Sequence, residues 1–160
     1  MAYETYQMVT GTVLSVEDRE NDCCTKLVRI RDKRQEIHLV VSGRTVVIQD
    51  IMLRPGMRIA AFYDGNLPVP TIYPPVYQAE LVTMLWRNQS VKLGYFDAEL
   101  LAGDRSLQLN LDRQVKITTV NGQRYECSPG NAELLVYYTY TTMSLPPMTT
   151  PQKIIVMCQK

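Results

Sequence analysis

Two stretches decide the fold: Lys26–Ile48, KLVRIRDKRQEIHLVVSGRTVVI, and Arg105–Cys127, RSLQLNLDRQVKITTVNGQRYEC. Laid over each other without a gap, they place Gly43 on Gly122, and Arg34, Gln35 and Val41 on the identical residues Arg113, Gln114 and Val120. The alternation agrees too. Val28 and Ile30 meet Leu107 and Leu109, whereas Arg29 and Arg31 meet Gln108 and Asn110, so apolar and polar residues fall on opposite strand faces in both copies. Each stretch reads as a hairpin about a Gly turn, Ser42-Gly43 or Asn121-Gly122; Asn-Gly supplies the two positive-φ residues of a tight turn. Further on, Ala61-Phe62-Tyr63 meets Val136-Tyr137-Tyr138 after a short deletion, each followed by a Pro-rich loop and a closing strand, Gln78–Met84 or Lys153–Cys158. This ordered match predicts an internal duplication.

Outward from these stretches the pattern stays short and β-like. Period-two or β-branched runs cover Tyr6–Val16, Lys26–Arg31, Glu36–Val41, Thr45–Ile48, Met57–Tyr63 and Tyr77–Trp86. A second set covers Lys92–Leu100, Ser106–Leu111, Val115–Val120, Arg124–Cys127, Glu133–Tyr140 and Lys153–Cys158. Arg54-Pro55-Gly56 breaks the chain just before one of them, as a turn entering a strand should. Convincing helical periodicity is missing, so the chain reads as all-β. Five main strands per half suit a small OB-like Greek-key β-barrel better than a sandwich, and a closed sheet has no free edge. The expected architecture is therefore a tandem pair of such barrels, residues 1–85 with a Pro/Tyr loop and residues 86–160 more divergent. One copy alone would bury only about 60% of its unfolded surface. The copies are expected to pack together, with Leu85–Ser90 as the junction and Trp86 near the interface.

The run from Phe62 to Val82, FYDGNLPVPTIYPPVYQAELV, resembles small OB-like β-barrel repeats of uncharacterised function from anaerobic Gram-positive bacteria. Their signature is G-x-Y-D-A-N-x-P-x-P-x-I-Y-P-P-x-Y-x-A-x-V-V, and they often occur attached to cell-surface proteins. The first repeat, Thr5–Met84, keeps most of this pattern with Gly65 in place of the Ala. The second has lost it, reading YYTYTTMSLPPMTTP from Tyr137 to Pro151. The resemblance implies a bacterial β-barrel module and no catalytic residues.

Composition narrows the function classes. The 160 residues include 17 Lys plus Arg, 16 Asp plus Glu, ten Tyr, one His and four Cys, and 46% are hydrophobic. Net charge near zero gives no bulk reason to bind nucleic acid or an anionic membrane. A single histidine removes most acid/base and metal chemistry. The N-terminus lacks a basic, apolar leader pattern and no window is long and apolar enough to span a bilayer. The expectation is a cytoplasmic chain without membrane insertion, or an extracellular one if a leader has been removed.

The Pro/Tyr loop is the first candidate site. Prolines restrict the backbone and Tyr offers rigid contact area with a polar tip, so Tyr63, Asn66, Tyr73, Pro74, Pro75 and Tyr77 are expected to bind a protein partner or a second copy. The bland alternative is a plug across the barrel mouth. The competing functional reading is single-stranded nucleic-acid binding through Lys26, Arg29, Arg31 and Arg34, because the second and third strands of an OB fold face the ligand. Stacking aromatics are missing between these charges, and Glu17, Asp18, Glu20, Asp22, Asp32 and Glu36 cancel much of the field.

Chemistry finds little support. Cys23 and Cys24 are expected in a turn, Cys127 and Cys158 as small hydrophobes in strands, all as free thiols; an enzyme using Cys23 or Cys24 lacks a histidine placed to serve it. His38, aligned with Ile117, reads as a partly buried strand residue. Asp97, Glu99 and Asp104 read as surface carboxylates. No catalytic residue, metal ligand or cofactor is expected.

Overall fold

The computed structural model describes residues 2–158. The first half forms β1 (Tyr6–Arg19), β2 (Asp22–Asp32), β3 (Gln35–Val41), β4 (Val46–Val47), β5 (Arg58–Asp64), β6 (Val76–Gln78) and β7 (Leu81–Met84). The second forms β8 (Ser90–Phe96), β9 (Gln108–Leu109), β10 (Lys116–Thr119), β11 (Ala132–Tyr138), β12 (Met148–Thr149) and β13 (Lys153–Val156). A 3-10 turn at Ile48–Asp50 is the only helical element among the described residues, and the protein is all-β. No helix of the described residues is long and apolar enough to cross a membrane. The chain divides into two compact units, Thr5–Arg87 and the remainder from Asn88 joined by the segment ahead of Thr5.

In the Thr5–Arg87 unit one sheet runs β4-β7-β5-β1-β2-β3-β6. Pairing is antiparallel except for β3 with β6 and β4 with β7. Alternate residues Val13, Val28, Ile30, Ile37, Leu39, Val41, Ile59 and Ala61 turn inward and form the core. The connections differ from the expected ones. Hairpins turn at Glu20-Asn21 and Lys33-Arg34, where Asn21 (φ 61°) and Lys33 (φ 56°) adopt left-handed backbone. Ser42-Gly43 makes no hairpin, because Gly43 does not take positive φ. Instead Thr45 N–H closes a turn on the Ser42 carbonyl at 3.1 Å, and β4 continues parallel to β7 rather than beside β3. At Pro55-Gly56 the expected turn is present. Gly56 (φ 92°) donates its N–H to the Val13 carbonyl at 2.8 Å, at the irregularity in β1 between Val13 and Ser15.

In the other unit β10-β13-β11-β8 form one sheet and β12-β9 a second, two-stranded one. β10 runs parallel to β13, and β11 lies between β13 and β8, antiparallel to both. Phe96, Leu107, Leu109, Leu134, Val136, Ile154 and Val156 fill its core. No hairpin joins β9 to β10, in contrast to β2 and β3. The reason lies in the backbone of β9. Gln108 and Asn110 donate their N–H groups to the Pro147 and Thr149 carbonyls, and Leu109 donates on the other side to Leu100, so both edges are already occupied. At Asn121-Gly122 the chain does fold back, with Thr119 N–H on the Gln123 carbonyl at 2.8 Å. Only Gly122 (φ 89°) is left-handed there, and the strand expected at Arg124–Cys127 reduces to one bridge, Thr118 to Arg124.

By strand pairing none of the three sheets is a closed barrel: β4 and β6 end the first, β10 and β8 the second, and β12-β9 is a single pair. The cysteine positions also need correcting. Cys23 and Cys24 lie in β2, Cys127 and Cys158 lie outside strands, and all four are free and exposed. None acts as a core hydrophobe.

Candidate functional site

The loop from β5 to β6 is held at both ends and exposed between them. At its start Asp64 organises the turn: its Oδ1 accepts the Thr5 hydroxyl at 2.9 Å and the Asn66 N–H at 3.0 Å, and its carbonyl accepts Leu67 N–H. Gly65 donates its N–H to the Thr5 carbonyl at 2.8 Å, and a Cβ there would stand 2.9 Å from that oxygen, so the approach requires glycine. At its end the Pro75 carbonyl accepts His38 N–H at 2.9 Å, and Tyr77 pairs with Leu39. The Tyr63 and Tyr77 rings stack across the two ends with centroids 4.1 Å apart and planes 12° apart. Burial, with the neighbouring Tyr77, pushes the Tyr63 hydroxyl pKa up.

The six candidate residues therefore divide. Tyr63, Pro74, Pro75 and Tyr77 are half-buried and make the base, and Tyr77 packs on the core of the unit. Asn66 and Tyr73 are exposed with every residue from Gly65 to Tyr73; Tyr73 is 76% exposed, and Leu67, Val69 and Ile72 stand out beside it. The run from Gly65 to Ala79 carries no charge.

The basic hairpin is tied up differently. Lys26 pairs with Asp18. Arg29 holds Glu36 with Nε at 3.1 Å and a terminal nitrogen at 3.3 Å, and His38 Nε2 lies 2.7 Å from the same carboxylate. The Arg29 guanidinium, helped by His38, lowers the Glu36 pKa to about 2. Arg31 and Arg34 are exposed. The Arg29–Glu36–His38 group escaped sequence reading because it depends on register: Arg29 lies opposite His38 across the β2–β3 pair.

The carboxylates of the second unit serve loops. Asp97 Oδ1 accepts the N–H groups of Glu99 and Leu101. Asp104 accepts Lys92 Nζ at 2.9 Å and both Ser106 donors; burial opposes ionisation there, yet these bonds hold its pKa down at about 2. Among the described residues no three His, Cys, Asp or Glu side chains gather as a metal site requires.

A second exposed loop was not singled out in the sequence. It joins β11 to β12 and presents Tyr140, Met143 and Leu145 to solvent. The signal was available as a charge-free run from Leu134 to Gln152. No protein-family model matches the sequence, and no curated protein matches it.

Proposed function

We propose that this chain is a non-enzymatic interaction module of two OB-like units, related by duplication, that docks on a protein through the Pro/Tyr loop. The exposed apolar crest Leu67, Val69, Ile72 and Tyr73 on an anchored base carries this reading. Large apolar side chains gathered on one surface element mark interaction sites, and Tyr is enriched where interfaces bury residues.

The OB-like reading draws support from chain continuity. β6 and β7 belong to one run, and the two residues between them bond to opposite flanks: Ala79 N–H to the Val40 carbonyl of β3, Glu80 N–H to the Phe62 carbonyl of β5. Taken as one bent strand, this run links the two arms of the sheet into the order of a small Greek-key barrel. The duplication reading draws support from shared pairing. In both units the first strand lies beside the penultimate long strand, that strand beside the last, and the last also has a parallel partner.

Replacing Tyr73 with Ala tests the function. The expected result is unchanged melting temperature and loss of cross-linked partner protein, because Tyr73 touches little of its own unit. Tyr77→Ala should instead lower the melting temperature. Equal capture by wild type and Tyr73→Ala would overturn the proposal. Single-stranded nucleic-acid binding is the weaker reading, since Lys26 and Arg29 already face acids.

A further inference from the structure

The chain that returns from the Asn121-Gly122 turn pairs with β10 only briefly. Thr119 N–H donates to the Gln123 carbonyl at 2.8 Å and Tyr125 N–H to the Ile117 carbonyl at 3.1 Å, around the single bridge Thr118 to Arg124. There a cavity of about 490 Å³ opens between the two segments, with Lys116, Ile117 and Thr118 on one side and Arg124, Tyr125 and Glu126 on the other. All of these residues belong to the second unit. Thr118 is 3% exposed, and its Oγ1 is buried without a hydrogen-bond partner. Buried hydroxyls are normally paired, because an unmade bond forfeits the hydration given up on folding.

Charge says what the cavity takes. Lys116 and Lys153 are register partners across the parallel β10–β13 pair, so their side chains share a face, and alternation puts Thr118 on that face too. Among the described residues no carboxylate pairs with either lysine. Lys153 is half-buried, its Nζ 4.4 Å from the centre of the Tyr137 ring. Burial and the neighbouring Lys116 push the Lys153 pKa down, as like charges held together without a counter-ion do. Arg124, directly across from Thr118, adds a third cation, against the one carboxylate of Glu126 at 3.5 Å. Three cations and one acid leave room for two negative charges. A tetrahedral dianion supplies them, and its several oxygens accept from Lys116, Arg124 and Thr118 together. We propose that this cavity binds an oxyanion of the phosphate class, held by Lys116, Arg124 and the Thr118 hydroxyl, with Lys153 adding charge beside Lys116. This goes beyond the proposed function, which concerns a loop of the other unit.

The test is titration of the isotope-labelled full chain with inorganic phosphate at constant ionic strength, followed by amide NMR shifts. Wild type should show saturable shifts at Lys116, Thr118 and Arg124. Lys116→Ala should weaken binding about tenfold or more. Thr118→Val should weaken it similarly without lowering the melting temperature, since the variant buries no orphan hydroxyl, and Thr118→Ser should restore it. Shifts that never saturate, equal shifts from chloride, or either weakening variant binding like wild type would overturn the proposal. Glycerol phosphate binding more tightly than inorganic phosphate would support a phosphate group carried on a larger molecule, and weaker binding would support the free ion. Tyr73→Ala should leave the titration unchanged, which separates this result from the fate of the Pro/Tyr loop.

Discussion

At Gly11 the backbone of β1 comes so close to β2 that a Cβ would stand 2.8 Å from the Arg31 carbonyl oxygen and 3.2 Å from Ile30 Cδ1. Main chain cannot yield as a flexible side chain can. Gly11→Ala should therefore destabilise the chain by about 1–3 kcal/mol in urea unfolding, whereas Gly94, with nothing near its ideal Cβ, should tolerate Ala with little change. Glu36 makes a second prediction. Its folded pKa of about 2 lies below the ordinary carboxylate value, so its contribution is present above pH ~4.5 and is lost as pH falls through the folded value. Glu36→Gln should lower stability at neutral pH, where the contribution is present, and flatten the pH dependence of stability in that acid window. The thiols supply a third: with all four cysteines exposed, all four should react with a thiol reagent in native buffer at the rate seen in denaturant.

Among the elements, β13 is a short strand whose loss would cost its unit heavily. It is hydrogen-bonded on both sides, to β10 and β11, and its Ile154 and Ile155 are fully buried. Ile154→Ala should cost about 2–5 kcal/mol, the range for truncating a buried aliphatic side chain. The strands themselves were legible because alternation of apolar and polar residues is local. Val28-Arg29-Ile30-Arg31 predicts one buried face whatever the partner, and β2 obeys it. Pairing partners were less legible. Ser42-Gly43 looked like a hairpin turn because of its composition, but glycine permits positive φ without requiring it. Asn21 and Lys33 turn the chain instead; Asn tolerates left-handed backbone and is an ordinary turn residue, whereas Lys carries no such signal. β9 shows the same limit: its sequence fits a hairpin, and bonds from residues some forty positions later in the chain occupy its edge.

On the scale of the whole molecule, charge distribution decides how interactions should respond to salt. Docking through the charge-free Pro/Tyr loop should hardly change between low and high salt, because Debye screening acts only on charges. Binding of an oligonucleotide through Arg31 and Arg34 would weaken steeply over the same range. A salt titration of association thus separates the two readings, and a steep salt dependence would count against the loop. The candidate site was half legible in the sequence. The prolines and tyrosines of the first loop announced a rigid surface, but which of them form base and which form crest depends on the Tyr63–Tyr77 stack and on the His38 bond to Pro75. The second loop was missed because it has lost the Tyr-Pro-Pro pattern, although its lack of charge was there to read.

By itself the sequence determined that this chain is all-β, which faces of its strands are apolar, and where the Pro loops interrupt them; these follow from residue type and spacing over a few positions. Only the tertiary structure decided that Arg29 is neutralised by Glu36, that both edges of β9 are occupied, that the cysteines face solvent, and that Met143 and Leu145 stand free of the core. Each of these depends on register and on contacts distant in sequence, where a one-residue slip exchanges buried for exposed.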